Sequence, residues 1–320
     1  MNFTEFGDCR EIMRDWKREC IKAQTCVTSP PYFGLRDYGH DGQIGLESTP
    51  EAYIAAMVEV FRCVRDVLAD DGTLWLNIGD SYAGSGGAGG QYKPGGIAKT
   101  GTNAPSTWSA EYSRKPVTLN VPGCKPKDLI GIPWMLAFAL RADGWYLRQD
   151  IIWHKPNPMP ESVRDRCTKA HEYIFLLSKS EKYFFDSEAM REPSADPEGS
   201  AKRYKSAFGS KKNEALLATD QVHTRPIGMR EFDGKRNRRS VWTVNTKSYK
   251  GAHFATFPPA LIEPCILAGS RPGDVVLDPF MGSGTTAAVA IQHGRQYLGC
   301  ELNEDYWPLQ EERIRAAGVK

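Results

Sequence analysis

The chain has 320 residues, of which 41% are hydrophobic and 25% charged, with a formal net charge of +2. These values are typical of a soluble globular protein with one large domain or two ordinary ones, and the total charge is too small to indicate a nucleic-acid partner by itself. No run of about 18 apolar residues is present, and the N-terminus has neither a basic nor an apolar leader, so we expect no membrane span and no secretory signal.

The first 80 residues are predicted to alternate strands and helices. A strand over 21–28 enters the sequence Ser29-Pro30-Pro31-Tyr32. Helical spacing of apolar residues predicts a helix over 50–69, which Asp70-Asp71-Gly72 is expected to end, and a buried strand over 73–78 follows.

The Ser29-Pro30-Pro31-Tyr32 sequence predicts a rigid loop. Two consecutive prolines fix two φ angles near −65° and remove two backbone donors, so the chain leaves the strand in an extended conformation. The loop then presents a hydroxyl, free carbonyls and an aromatic face, a combination that suits an amino group on a flat ring. A plain surface loop explains the four residues equally well.

The middle of the chain begins with a segment, 81–125, that is rich in glycine and has no periodicity. It contains no Gly-Lys-Ser/Thr and is therefore not predicted to be a phosphate-binding loop; it is a flexible insert or a lid over a substrate. A helix over 127–142 and strands over 145–154, 172–178 and 183–185 are predicted next.

Residues 190–250 are polar and basic. They contain fourteen Lys and Arg against seven Asp and Glu, a local charge of +7 that leaves −5 for the rest of the chain. Such an asymmetry is typical of a segment that binds a polyanion, through phosphate contacts that position a duplex without reading its sequence. The densest part is Lys235-Arg236-Asn237-Arg238-Arg239. A solvated insert is the alternative.

The C-terminal part is predicted to form a βαβ unit. After a helix over 259–268, a strand over 274–278 leads through a Gly-x-Gly turn into a helix over 287–293 and a strand over 296–301. Glycines let the backbone approach a ligand closely, and Glu301 at the end of the second strand can accept hydrogen bonds from both ribose hydroxyls. The third glycine of a dinucleotide motif is absent, so a single nucleoside with a small charged appendage fits as well. A structural turn is the alternative.

Two motifs together resemble a known family. Val27-Thr28-Ser29-Pro30-Pro31-Tyr32 resembles the catalytic motif of amino-group DNA methyltransferases, and the segment from Asp278 to Thr286 resembles their S-adenosylmethionine motif. Their order resembles the β-class of the DNA methylase N-4/N-6 family, and Thr-Ser-Pro-Pro-Tyr resembles the form usual for its cytosine-N4 type. Gly7-Asp8-Cys9 resembles the segment that contacts the adenine, and His253–Pro258 the segment that closes over the methionine moiety.

This resemblance implies an α/β fold of the Rossmann-like S-adenosylmethionine-dependent methyltransferase type. The sheet would be mostly parallel and doubly wound, with an inserted DNA-recognition region. The implied parts are a catalytic part over 1–80, the insert over 81–125, the rest of the catalytic part over 126–189, the DNA-recognition region over 190–250 and the cofactor-binding part over 251–320.

The resemblance also implies roles for individual residues. The catalytic residues would be Ser29, Pro30, Pro31 and Tyr32. The residues that bind S-adenosyl-L-methionine would be Asp8, Phe257, Asp278, Phe280, Gly282, Gly284, Thr285, Thr286 and Glu301. The residues that bind DNA would be Lys235, Arg236, Arg238 and Arg239. The implied partners are double-stranded DNA, a second copy of the chain and a cognate restriction endonuclease, in the cytoplasm and without a metal.

Other functions stay open at this stage. An adenine-N6 enzyme is the alternative, followed by an RNA or protein methyltransferase. A Rossmann oxidoreductase would leave Ser29–Tyr32 unexplained, and a non-catalytic DNA-binding protein would explain the basic segment alone. A cytosine-C5 enzyme needs a Pro-Cys nucleophile, but Pro264-Cys265 lies in an apolar run that predicts buried helix packing. We expect His154 and His171 to be structural, and the eight cysteines, which lack zinc spacing, to be reduced and mostly buried.

Overall fold

The computed structural model describes residues 1–84, 121–208, 233–246 and 257–318, with the side chains of 204–208 excepted. Most of the insert predicted over 81–125 lies outside the described residues. So do residues 253–256 of the segment His253–Pro258, and residues 209–232 and 247–250 of the predicted DNA-recognition region.

Ten strands and seven α-helices make up the described parts of the chain. The first eight elements are β1 (Asn2–Phe6), α1 (Cys9–Arg18), β2 (Ala23–Thr28), α2 (Pro50–Val67), β3 (Leu68–Ile78), α3 (Ile132–Ala142), β4 (Tyr146–His154) and β5 (His171–Ser178). The others are β6 (Arg191–Pro193), α4 (Pro197–Phe208), β7 (Lys235–Asn237), β8 (Val241–Thr243), α5 (Pro259–Gly269), β9 (Val275–Asp278), α6 (Thr285–Gln292), β10 (Gln296–Glu301) and α7 (Trp307–Gly318). A 3₁₀ turn over Glu304–Tyr306 precedes α7.

An eight-stranded sheet organises the larger part of the chain. Its order is β1-β10-β9-β2-β3-β5-β4-β8. Every neighbouring pair is parallel except β3 with β5 and β5 with β4, which are antiparallel. The prediction of a mostly parallel α/β sheet is confirmed.

Helices cover both faces of this sheet. Leu74, Leu76 and Ile78 of β3 belong to a buried apolar cluster with residues of α1, α2 and α3. Thr73 directly precedes Leu74 in the strand, so its side chain points to the opposite face. There it packs against Gly269 of α5, where a Cβ on that glycine would lie 3.0 Å from the Thr73 hydroxyl. Because successive side chains of a strand point to opposite faces, the sheet is packed on both sides, as a doubly wound sheet requires.

Helix α2 shows how the sequence fixes an element. Thr49 caps it by accepting a hydrogen bond from the Ala52 amide, and Pro50 occupies the first turn. The helix ends at Val67 rather than at Asp70–Gly72, so this predicted boundary is wrong. Leu68 is already extended and starts β3, whose pairing with β2 shifts register before Thr25 and so absorbs the additional residues.

A second prediction is also wrong: no strand forms over residues 183–185. The Phe184 amide donates a hydrogen bond to the Asp71 carbonyl at 2.8 Å, but no ladder of further bonds follows. The Phe185 ring instead stacks on Trp75, with 6.3 Å between ring centroids. Phe185 therefore packs against β3 from a loop.

The chain divides into two compact units, one of residues 1–185 and 240–320 and one of residues 186–239. In the second unit β6 pairs antiparallel with β7. Arg191 forms ion pairs with Asp233, and Arg236 does so with Glu192. Strand β8 falls within the predicted region 190–250 but pairs with β4 in the larger unit.

Among the described residues, no helix is long and apolar enough to cross a membrane. All eight cysteines are free thiols, and Cys9, Cys26, Cys63, Cys265 and Cys300 are buried. Cys265 lies in the buried part of α5, in agreement with the packing role predicted for it.

Candidate active site

The two predicted motifs meet at the centre of the sheet. Strands β2 and β9 are parallel neighbours, so the loops that follow their carboxyl ends leave the sheet side by side. The hydroxyl of Thr28, the last residue of β2, donates a 2.7 Å hydrogen bond to Oδ1 of Asp278, the last residue of β9. In open α/β sheets, ligands bind outside the carboxyl ends of the strands, which makes this edge the candidate site.

A cavity of about 930 Å³ lies at this edge. Its wall contains most of the residues that the sequence assigned to catalysis and cofactor binding. They are Ser29, Pro30, Pro31, Tyr32, Asp8, Phe257, Asp278, Phe280, Gly282, Thr285 and Glu301. One cavity of this volume can hold a nucleoside-sized cofactor and a single base together.

Two predicted cofactor residues, Gly284 and Thr286, are not part of the cavity wall. Gly284 has a left-handed φ of 78° and precedes the first residue of α6, where a Cβ would approach the Gln310 backbone to 3.2 Å. Thr286 is fully buried, and its hydroxyl donates to Oδ2 of Asp278 at 2.6 Å. Both residues support the turn without facing the cavity, because Gly284 permits the αL conformation and the Thr286 hydroxyl holds the Asp278 carboxylate.

Glu301 connects the glycine turn to β10. Its Oε2 accepts a 2.7 Å hydrogen bond from the Gly282 amide and its Oε1 a 3.0 Å bond from the Asn303 amide. Burial raises the pKa of Glu301 above its usual value, and the backbone hydrogen bonds oppose this. A carboxylate held in this way at a cavity wall has lone pairs left to accept ligand hydroxyls.

Burial also raises the pKa of Asp278. Hydrogen bonds from Thr286, Thr28 and the Phe280 amide act in the opposite direction. These donors hold the carboxylate in place at the cavity wall and fix the turn after β9.

Asp8 lies at the start of α1, beside the end of β10. Its carboxylate accepts from the Arg10 amide at 2.8 Å and forms an ion pair with the Arg10 guanidinium at 2.5 Å. The hydrogen bond from the Arg10 side chain lowers the pKa of Asp8. The preceding Gly7 amide donates to the Glu301 carbonyl at 2.8 Å, so this segment continues the cavity wall from β10.

The proline loop is held at two points. The buried Tyr53 hydroxyl donates a 2.8 Å hydrogen bond to the Pro31 carbonyl. The Tyr32 hydroxyl donates to Oε2 of Glu172, also at 2.8 Å. The Tyr32 ring lies so close to Gly79 that a Cβ there would be 2.7 Å from Tyr32 Cε2. The loop is therefore anchored, as expected for a site that must hold a reacting group in one orientation.

Comparison with known proteins decides the family. The model of the DNA methylase family matches residues 23–312 of this chain. The chain belongs to the DNA methylase family. Over 316 residues it is 47% identical to the type II methyltransferase M.SmaI of Serratia marcescens, covering 96% of this chain and 89% of that protein. Over 309 residues it is 45% identical to the type II methyltransferase M.Cfr9I of Citrobacter freundii, a match that covers 97% of this chain and 86% of that protein.

Solved structures show the same fold. The match to the PvuII DNA methyltransferase (cytosine-N4-specific) covers 98% of this chain and 86% of that chain, with a TM-score of 0.58 and 17% identity. The match to the complex of M1.HpyAVI with S-adenosylmethionine covers 98% of this chain and 100% of that chain, with a TM-score of 0.52 and 17% identity. This DNA methylase is thus a type II methyltransferase of the N4/N6 amino-group family, and S-adenosyl-L-methionine is its cofactor.

The structure adds cavity residues that sequence reasoning missed. Asn77 at the end of β3, Trp153 in β4, Lys155 after β4 and Glu172 in β5 all lie in the cavity wall. They come together through the antiparallel register of β3, β5 and β4, which no local pattern reveals. One sequence signal was available, because Glu172 is an acidic residue near the start of a strand whose centre is apolar.

The predicted DNA-binding residues of this methylase lie in or next to β7. Lys235 and Arg239 are exposed, whereas Arg236 and Arg238 are half-buried. The Arg236 guanidinium donates to Oε1 of Glu192 at 2.9 Å, so its charge is already partly compensated. Lys235 and Arg239 are thus the more exposed of the four predicted residues.

Proposed function

We propose that this DNA methylase transfers the methyl group of S-adenosyl-L-methionine to the exocyclic N4 amino group of cytosine at a specific site in duplex DNA. The carrying observation is that Ser29, within the cytosine-type sequence Thr28–Tyr32, lies in the same cavity wall as the glycine turn after β9. Support comes from the cytosine-N4-specific PvuII enzyme, which has the same fold.

The proline loop supplies the groups that this reaction needs. An exocyclic amino group is a poor nucleophile because its lone pair is delocalised into the ring. The Ser29 hydroxyl and the Pro30 carbonyl accept its hydrogens, which raises the electron density on nitrogen. The Tyr32 ring stacks on the target base, which must leave the duplex to enter the cavity.

The cofactor contributes a methyl group on a positively charged sulfur. As the nitrogen–carbon bond forms, the carbon–sulfur bond breaks and a proton leaves the amino nitrogen for solvent. Holding the two reactants in line inside one cavity accounts for much of the acceleration. No covalent bond to Ser29 is needed, so its role is that of a hydrogen-bond acceptor.

The cofactor half of the cavity fits this ligand. Gly282 adopts a left-handed φ of 52°, which lets the turn pass close to a ligand, and the Glu301 carboxylate lies in the cavity wall, where it would accept hydrogen bonds from the ribose hydroxyls. We assign the other contacts to Asp8, Phe257, Asp278, Phe280 and Thr285. Gly284 and Thr286 act indirectly, through the shape of the turn.

We further propose that Lys235, Arg236, Arg238 and Arg239 contact the DNA backbone, in proportion to their exposure. A homodimer, a cognate restriction endonuclease and a cytoplasmic location belong to the same proposal. The type II names of the relatives support the endonuclease, and DNA as substrate supports the location. Sedimentation analysis of the purified chain tests the dimer.

Product analysis tests the reaction. Duplex DNA is incubated with the enzyme and methyl-labelled cofactor, then digested to nucleosides and separated. Label in N4-methyldeoxycytidine is the expected result. Label in N6-methyldeoxyadenosine would replace the cytosine assignment by the adenine alternative. Transfer to RNA or protein but not to DNA would refute the proposal as a whole.

A further inference from the structure

A largely buried ion pair lies beside Tyr32 in the cavity wall. The side chains of Glu172 and Lys155 form this pair, and each of them is only 17% exposed. The Lys155 ammonium also lies 4.2 Å from the centre of the Trp153 ring, so an aromatic face stabilises it from a second side. All of these residues belong to the cavity wall. The Glu172 carboxylate therefore has a defined position and is not a mobile surface group.

Hydrogen bonds connect this carboxylate to the phenol of Tyr32. Oε2 of Glu172 accepts a hydrogen bond from the Tyr32 hydroxyl at 2.8 Å, and the Asn77 side-chain amide donates to the same oxygen at 3.4 Å. The Asn77 amide is itself held, because it also donates to the Tyr173 carbonyl at 3.0 Å. The other carboxylate oxygen contacts the Lys155 ammonium. Both oxygens are thus engaged, and the acceptor of the phenol cannot rotate away without breaking these contacts.

The Tyr32 ring is restrained at both ends and along one edge. At the backbone end, the Tyr53 hydroxyl donates a 2.8 Å hydrogen bond to the carbonyl of Pro31, the preceding residue. At the other end, a phenol O–H prefers to lie in the plane of its ring, because the oxygen lone pair is conjugated with the ring. An acceptor at a fixed position therefore also restrains rotation of the ring about its long axis. Along the edge, a Cβ on Gly79 would lie 2.7 Å from Tyr32 Cε2, so the two are in close contact.

We propose that Glu172 is a positioning residue that fixes the plane of the Tyr32 ring, on which the target base stacks. Lys155 and Asn77 hold the carboxylate for this role. The inference rests on the proposed function, in which a base that has left the duplex stacks on this ring. Without the hydrogen bond the ring can tilt, and a base that follows it moves its amino nitrogen out of line with the methyl donor. Such a misplacement is costly in a transfer whose rate depends on alignment.

Two single substitutions remove the hydrogen bond from opposite sides. Tyr32→Phe removes the hydroxyl and keeps the ring, and we expect single-turnover methylation at saturating DNA and cofactor to fall about tenfold, the scale of one hydrogen bond to a charged group. Glu172→Leu removes the acceptor, keeps much of the side-chain volume, and should cause the same loss. The affinity for S-adenosyl-L-methionine should stay at the wild-type value in both variants, because the hydrogen bond they remove orients the base and not the cofactor.

The double variant shows whether Glu172 acts through the phenol. Tyr32→Phe combined with Glu172→Leu should be no slower than either single variant, since both changes remove the same hydrogen bond. Multiplicative losses would overturn the proposal and indicate a general structural role. Glu172→Gln is the conservative variant, because its amide can still form a hydrogen bond with the phenol, and it should keep most of the wild-type rate. A rate as low as that of Glu172→Leu would assign the effect to the charge and would also overturn the proposal.

Two further variants complete the experiment. Tyr183→Phe is the matched control, because it removes a tyrosine hydroxyl that accepts from Arg148 at 3.2 Å outside the cavity, and its rate should equal wild type. Lys155→Met with Glu172→Leu removes both charges, and it replaces Glu172→Leu in the double variant if the unpaired ammonium prevents folding. Weaker cofactor binding in Tyr32→Phe or Glu172→Leu, wild-type rates in both, or an equal loss in the control would overturn the inference. Failure of the wild-type enzyme to methylate DNA would instead refute the proposed function.

Discussion

Replacing Thr286 by valine separates the structural and the ligand-binding parts of the glycine turn. The Thr286 hydroxyl is completely buried and donates to Oδ2 of Asp278 at 2.6 Å. Valine has nearly the same shape, so the change removes this donor without opening a cavity. It therefore tests whether Thr286 acts through the buried carboxylate, as the structure indicates.

The remaining hydrogen bonds set the size of the effect. After the substitution, Oδ1 of Asp278 still accepts from the Thr28 hydroxyl at 2.7 Å and from the Phe280 amide at 3.0 Å, but Oδ2 has lost its 2.6 Å partner. Hydrogen bonds to charged groups contribute about 1.5–3 kcal/mol, so we expect the free energy of unfolding to fall by about 2 kcal/mol at neutral pH.

The pH dependence of this loss has a definite sign. Burial already raises the pKa of Asp278 in the folded state, and removing a donor raises it further. Because the folded state then disfavours the ionised carboxylate more strongly, the loss should be full above the folded-state pKa. It should shrink as the pH falls and Asp278 becomes protonated.

Urea unfolding followed by circular dichroism measures this effect as a lower midpoint at an unchanged slope. Thr285→Val is the matched control, since Thr285 lies in the cavity wall and its hydroxyl accepts from Arg313. Arg313 also donates to Ser283 at 2.9 Å, so it keeps a partner after the substitution. The control should lose less stability and more cofactor affinity than Thr286→Val. An unfolding midpoint for Thr286→Val equal to that of wild type would refute the reasoning.

Three other variants test separate parts of the protein. Gly79→Ala places a Cβ 2.7 Å from Tyr32 Cε2, so the ring must shift, and turnover should fall while calorimetry shows unchanged cofactor affinity. Burial raises the pKa of Glu301 above its usual value, so the cofactor affinity of the wild-type enzyme should fall as the pH drops through the pKa of Glu301. Glu301→Gln should weaken cofactor binding at neutral pH and remove this pH dependence. Lys235→Gln with Arg239→Gln should reduce the salt slope of DNA binding by about 0.9 per lost phosphate contact.

Each of these has a contrary outcome. Wild-type turnover in Gly79→Ala would show that the Tyr32 ring is free to move. A cofactor affinity that does not vary with pH in wild type would show that the Glu301 charge does not contribute to binding. Lys125→Gln with Lys127→Gln removes two exposed charges from the larger unit, and an equal fall in its salt slope would indicate a general charge effect.

The sequence predicted the parts of this molecule that depend on local patterns. The strand before Ser29, the βαβ unit around the glycine turn and the helix from Pro50 were confirmed, because apolar periodicity and capping residues operate over a few positions. Helix α1 had not been predicted, although its buried residues Cys9, Ile12, Met13 and Trp16 have helical spacing and Asp8 caps it.

What the sequence could not provide was the register between distant strands. Glu172 reaches Tyr32 of the proline loop, and Lys155 reaches Glu172, because β5 runs antiparallel between β3 and β4. A shift of one residue would turn Glu172 to the opposite face. The motif also could not show that Gly284 and Thr286 lie outside the cavity wall, for a related reason. A motif gives the residues of a turn, but which of them face the ligand depends on the elements packed behind it, here α7 and the end of β2.

The sheet order also explains why the two motifs can lie so far apart in the chain. Their chemistry requires that the ends of β2 and β9 be neighbours, and the hydrogen bond from Thr28 to Asp278 joins them directly. Nothing in that contact depends on which strand comes first in the sequence. A methylase with its cofactor motif placed before its catalytic motif would build the same cavity, provided that the two strands stayed adjacent and parallel. The site thus depends on the adjacency of β2 and β9, and the Thr28–Asp278 hydrogen bond links the catalytic motif to the cofactor motif.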